Sequence, residues 1–149
     1  PRWRRRRRPA GPRATSAAEV EHSKEIEIRW VDLDVYGHVN HAVFLTYLEE
    51  TRDEWLGQAL GDPAQIWSYV VARIEIDYRR ELKLEDDVVV GRCGLHSIGN
   101  SSVRTRESVS TRDGELAAEA QAVLVARDDE TGRSRPLSES ERAAFERAL

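Results

Sequence analysis

One long helical stretch in a chain otherwise written at strand period is the feature that most limits what this sequence can fold into. Val43, Phe44, Tyr47, Leu48, Trp55, Leu56, Ala59 and Leu60 recur at three- and four-residue spacing, which places them on one helix face. Asn40 suits the start of that helix, because its side-chain oxygen accepts from a first-turn N–H that has no partner inside the helix. Gly61 suits the end, as a left-handed residue before Asp62 and Pro63. The spacing therefore predicts a helix that begins near His41 and stops before Gly61.

Everything around it alternates. Ile26 and Ile28 interleave with Glu25, Glu27 and Arg29 ahead of the helix. After it, Val70, Ala72, Ile74, Ile76 and Tyr78 alternate with Val71, Arg73, Glu75 and Asp77. Glu85-Asp86-Asp87 and Ile98-Gly99-Asn100-Ser101 read as turns between strand-like runs, and Asp113-Gly114 is the strongest hairpin signal in the chain. Leu116 to Arg127 supplies a last strand, whose Ala117, Ala118, Ala120 and Ala122 leave room for something bulky, the long helix being the obvious candidate. Ser138 and Glu141 form a capping-box pattern opening a short helix with Phe145, Ala148 and Leu149 as its apolar face. One strand, a helix, then four strands joined by short turns argue for an α+β layer arrangement: an antiparallel sheet with one helix packed on one face.

At 149 residues the chain holds one domain and one core. No apolar run approaches the ~20 residues that cross a bilayer, so no membrane role is expected. Cys93 stands alone, which excludes an internal disulfide and favours a reducing, cytoplasmic setting. Seven of the 23 basic residues are arginines within the first 13 positions, which leaves 16 against 27 acidic ones in the remainder, a formal charge of −11. Residues 1–21 are expected to be a disordered Arg-rich tail, and 22–149 the folded domain. Trp3 is the only aromatic in that tail, so a specific nucleic-acid site is not expected.

Chemistry concentrates before the helix, in Trp30-Val31-Asp32-Leu33-Asp34-Val35-Tyr36-Gly37-His38-Val39-Asn40-His41. A helix N-terminus carries partial positive charge and presents N–H donors to whatever lies in front of it, and Asp34 lies there. An aspartate is ionised at neutral pH, so it serves as nucleophile or general base beside donors able to hold an oxyanion, a pairing that suits acyl transfer. His38 either bonds Asp34 or the substrate, or orders the loop; Asn40 sets the donors in place as the cap. Glu49, Glu50, Arg52 and Arg73 are expected to pair at the helix surface or at a dimer contact. No nucleotide-binding glycine loop, metal cluster or Ser-His-Asp motif appears, and neither metal nor cofactor is expected.

The run Asp32 to His41, followed by Phe44, Tyr47, Glu49, Glu50 and Arg52, resembles the signature of hotdog-fold acyl thioesterases of the 4-hydroxybenzoyl-CoA thioesterase type. That resemblance implies a sheet wrapped around one long central helix, a catalytic aspartate at Asp34, and a carbonyl-polarising backbone N–H at His41. A second resemblance is to plant-type acyl-ACP thioesterases, whose aspartate, asparagine and histidine match Asp34, Tyr36 and His38. Their glutamate matches Glu81 in Tyr78-Arg79-Arg80-Glu81-Leu82, where the family's cysteine is replaced by Leu82. The expected substrate is an acyl-CoA, alternatively an acyl-ACP, with Tyr36, Phe44, Tyr78, Arg79 and Arg80 as substrate-binding residues; a non-catalytic acyl-binding or interaction domain is the other alternative. The expected assembly is a homodimer or homotetramer in which Asp34 of one chain faces the 78–81 segment of another.

Overall fold

The computed structural model describes residues 21–149, so the tail expected over residues 1–21 lies, but for Glu21, outside the described residues. Five strands form one antiparallel sheet: β1 (His22–Glu27), β2 (Tyr69–Tyr78), β3 (Val88–Ile98), β4 (Ser102–Thr111) and β5 (Leu116–Ala126), in the order β1-β3-β4-β5-β2. The helix α1 (His41–Leu60) lies across the sheet and a short α2 (Glu139–Glu146) closes one end. This is the hotdog fold, an α+β sheet wrapped around one long helix. Among the described residues no helix is long and apolar enough to cross a membrane.

Side-chain size decides how closely α1 approaches the sheet. Phe44, Tyr47 and Leu48 pack on Val89, Val109, Ala117, Ala118 and Ala120, while Trp55 and Leu56 pack on Cys93, Leu95, Val103, Leu124 and Phe145. The contact is tightest at Gly91, where an added Cβ would stand 2.1 Å from Thr51 Oγ1. Only glycine fits there.

The helix ends follow the sequence. Asn40 Oδ1 accepts from the Ala42 N–H at 2.9 Å, and Gly61 adopts φ 73°. Ser138 and Glu141 cap α2 reciprocally.

Three expectations shift. A bulge at Ala72 shifts the register of β2 against β5, so the alternation does not run through: Tyr69 is buried and Ile74 and Ile76 are half-buried against the core, while Val70 and Val71 are both exposed. Pro63–Ser68 forms a 3₁₀ turn capped by the Asp62 side chain on the Ala64 N–H, because an aspartate before a proline starts a helical turn as readily as it ends one. In α2 the buried apolar positions are Ala144 and Phe145, joined just beyond its end by Ala148, while Leu149 lies exposed.

Candidate active site

The loop from β1 to α1 is pinned at both ends and in the middle. The Asp34 N–H donates to the His38 carbonyl at 2.8 Å and the Gly37 N–H to the Asp34 carbonyl at 3.0 Å, a turn that needs the left-handed φ of 75° at Gly37. Leu33 and Val39 pair as an antiparallel bridge, and the Val39 N–H donates to the Leu82 carbonyl at 2.8 Å.

Asp34 is half-buried, and its Oδ1 accepts from the Tyr36 N–H at 2.9 Å. At the start of α1 the Asn40 side chain takes the Ala42 N–H, and the Asn40 carbonyl takes the Val43 N–H at 2.8 Å. The His41 N–H, in the first helical position, has no acceptor within the helix. Asp34, Tyr36, Asn40 and His41 line one open cleft of about 990 Å³, with Trp30, Val31, Leu33 and Val35 as its apolar wall. A carboxylate and a helix N-terminus thus meet on an apolar surface, the arrangement that acyl transfer uses.

Other expected residues lie beside the cleft. His38 turns to Glu81, Nε2 to Oε2 at 3.2 Å. Lys83 holds the other Glu81 oxygen at 3.0 Å and keeps that carboxyl below the usual glutamate range. The Tyr78 hydroxyl donates to the His41 carbonyl at 2.8 Å, and its ring stands edge-on to Phe44, which is buried beneath it. Arg79 pairs with Asp77 and Glu119, and Arg80 with Asp86 and Glu115. The segment 78–82 thus meets the loop within a single chain, because the last residues of β2 lead directly past the start of α1. A second concavity, of about 590 Å³ and lined by charged residues that include Glu75, Asp77, Arg106 and Glu119, contains no helix N-terminus.

Sequence reasoning treated Asp32 as a loop residue and did not see its partners. Its carboxylate is 2% exposed and accepts from the Arg29 N–H at 2.9 Å, the Arg29 guanidinium at 2.9 Å and the Tyr47 hydroxyl at 2.8 Å. Burial opposes its charge, but the bonds from Arg29 and Tyr47 prevail and hold its pKa below the ordinary aspartate value. Desolvation and the same carboxylate push the Tyr47 phenol well up. The available signal was Tyr47 itself, a hydroxyl on the buried helix face that needs a partner. Among the described residues, no group of three or more His, Cys, Asp and Glu could hold a metal ion.

A family model described as the thioesterase-like superfamily matches residues 28–145. The long-chain acyl-CoA thioesterase FadM of Escherichia coli strain K12 is 31% identical over 131 residues, covering 84% of this chain and 97% of that protein. A Thermus thermophilus thioesterase, solved in complex with coenzyme A and Zn, superposes with a TM-score of 0.77 at 35% identity, over 85% of this chain and 92% of that one. A structure described as a predicted thioesterase from Bacillus stearothermophilus superposes with a TM-score of 0.79 at 25% identity, over 87% and 97% of the two chains.

Proposed function

The chain belongs to the thioesterase-like superfamily, and from that premise we propose that it hydrolyses an acyl-CoA to a free acid and CoA. The observation that carries the reading is the cleft that Asp34 lines together with Asn40 and His41 at the start of α1. In this mechanism the thioester carbonyl oxygen accepts from the His41 N–H, which stabilises the negative charge that grows as the carbonyl carbon becomes tetrahedral. Asp34 either attacks that carbon, giving an anhydride that water opens, or takes the proton from an attacking water. In the first route the carbon–sulfur bond breaks as the anhydride forms and the sulfur leaves as thiolate, which takes up a proton released by the water that opens the anhydride; in the second the tetrahedral adduct collapses and Asp34 returns its proton to the leaving sulfur.

Asn40 keeps the donor in place, and His38, held by Glu81, orders the turn behind Asp34. Trp30, Val31, Leu33, Val35 and Tyr36 suit an apolar acyl group, in keeping with the long-chain activity of the Escherichia coli relative. Arg79 and Arg80 would have to leave carboxylate partners to meet CoA phosphates. The proposed setting is the cytoplasm, where the lone thiol of Cys93 stays reduced.

We assign the active form to a homo-oligomer, because among the described residues β2 pairs with β5 on one side and leaves a ten-residue edge on the other, beside the exposed Trp67, Val70 and Val71. The test is thiol release from acyl-CoAs of increasing chain length, with acyl-ACPs in parallel. Turnover is expected to rise toward long acyl-CoAs. Absence of thiol release from every acyl-CoA would overturn the reading, and release from the ACP series alone would transfer it to that carrier.

A further inference from the structure

We propose that Asp32 is a positioning residue, whose carboxylate, through Tyr47 and Arg29, fixes the loop that carries Asp34 against the helix whose first N–H faces the cleft. This rests on the functional reading above, but its argument is geometric. Asp32 bonds three residues at once, at both ends of the loop and on α1. Its two carboxylate oxygens hold Arg29, the residue two beyond the end of β1, by backbone and guanidinium. One of them, Oδ2, also accepts from Tyr47, which stands on the second turn of α1. The Asp32 carbonyl accepts from the Asn40 N–H at 2.8 Å, so the cap residue is hung from the same amino acid.

None of these bonds touches the cleft through a side chain. Neither Asp32 nor Tyr47 lines it, and both are buried. Yet the bonds bracket Asp34, which is two residues from Asp32 on one side and six from Asn40 on the other. Nucleophile and donor belong to different elements, a loop and a helix. Their separation is set by whatever couples the two, and Asp32–Tyr47 is a direct side-chain bond between them. A misplacement of about 1 Å costs on the order of 10²-fold in rate.

The experiment compares Tyr47→Phe, which removes one hydroxyl and no ring, with Asp32→Asn and with Leu56→Ala, a cavity control further along α1. Kinetics are read on each protein at a temperature at which it is fully folded. Tyr47→Phe is expected to lower kcat by about tenfold or more with KM within about threefold, whereas Leu56→Ala loses melting temperature and keeps kcat within about twofold. In the same samples, amide hydrogen exchange at Asp34 and Asn40 should accelerate about tenfold in Tyr47→Phe while β3, β4 and β5 are unchanged. That readout needs no substrate, so it separates failure of this proposal from failure of the thioesterase reading. Unchanged exchange in Tyr47→Phe overturns it, as does an unchanged kcat in an enzyme that Asp34→Asn inactivates. Should Asp32→Asn fail to fold, Tyr47→Phe decides alone.

Discussion

Asp32 and Asp34 are the same residue two positions apart, and their surroundings give them opposite work. The first is sealed between donors from the loop and from α1; the second has one oxygen on a backbone N–H and faces an open cleft. The Asp34 side chain accepts from the Tyr36 N–H, and an amide oxygen accepts from it equally well. Asp34→Asn should therefore melt within a few degrees of the parent while kcat falls by about 10² or more, since an amide neither attacks nor takes a proton. Steady-state kinetics beside a thermal melt check this, and a kcat within a few-fold of the parent would remove Asp34 from the mechanism. Asp32→Asn exchanges a buried charge for a buried NH2 beside Arg29, so its melting temperature should drop.

Between elements, two ion pairs make different predictions. Arg52 on α1 was expected to pair at the helix surface or at a dimer contact, yet it lies buried against Glu107 on β4 of the same chain, Nε to Oε1 at 2.8 Å and Nη2 to Oε2 at 3.0 Å, with Thr105 Oγ1 donating to Oε1 at 2.5 Å. Thr51 packs against Gly91 on β3, and Arg52, the next residue, reaches Glu107 on β4. Removing one partner leaves a bare buried charge, so Glu107→Ala should cost about 3–5 kcal/mol in denaturant unfolding. The joint replacement Arg52→Met with Glu107→Leu should recover most of that loss. In α2, Glu141 takes two bonds of 2.8 Å from the Arg135 guanidinium and one of 2.7 Å from the Ser138 N–H, and Arg135 chiefly draws its pKa from the ordinary 4.5 to about 2. A depressed carboxyl stabilises the fold above its unfolded pKa and loses that contribution as pH falls through the interval down to the folded value. Glu141→Gln should thus cost about 1–3 kcal/mol at neutral pH, a deficit that shrinks between pH 4.5 and 2. Equal acid sensitivity in both proteins would remove Glu141 as its source.

For the whole molecule, apolar surface and an open sheet edge point the same way. Trp30, Val35 and Tyr36 are 77%, 95% and 80% exposed around the cleft, and Trp67 is 79% exposed beside the edge of β2. A single copy leaves all of this in water, and a second chain along β2 would cover part of it and pair the edge. Because Trp67 and Val71 are exposed, the pair Trp67→Ser with Val71→Lys should leave the chain folded while shifting it to monomer in sedimentation velocity. If the second copy completes the cleft, kcat/KM falls with dissociation, by about tenfold or more. A folded monomer with parental kcat/KM would show that each chain carries a complete site.

The sequence by itself determined the parts that depend on neighbours along the chain. Asn40 and Gly61 set the ends of α1, Ser138 and Glu141 the start of α2, and Asp113-Gly114 the tight turn between β4 and β5, where Gly114 adopts φ 88°. Each is a local matter of an unpartnered N–H or a positive φ, and so is legible in a few residues. Asp34 ahead of a capped helix is local in the same sense, and the resemblance carried by residues 32–52 drew attention to it. What only the tertiary structure decided lies between residues far apart in the chain. The bulge at Ala72 depends on the strand that β2 pairs with, the burial of Arg52 on β4, the turn of His38 toward Glu81 on the segment after β2, and the choice of Asp32 as anchor on Tyr47, fifteen residues further on, across a helix start. Charged side chains carry no hydrophobic period by which burial is read from sequence; whether one is sealed or solvated is settled by which partner the packed helix and sheet bring within reach.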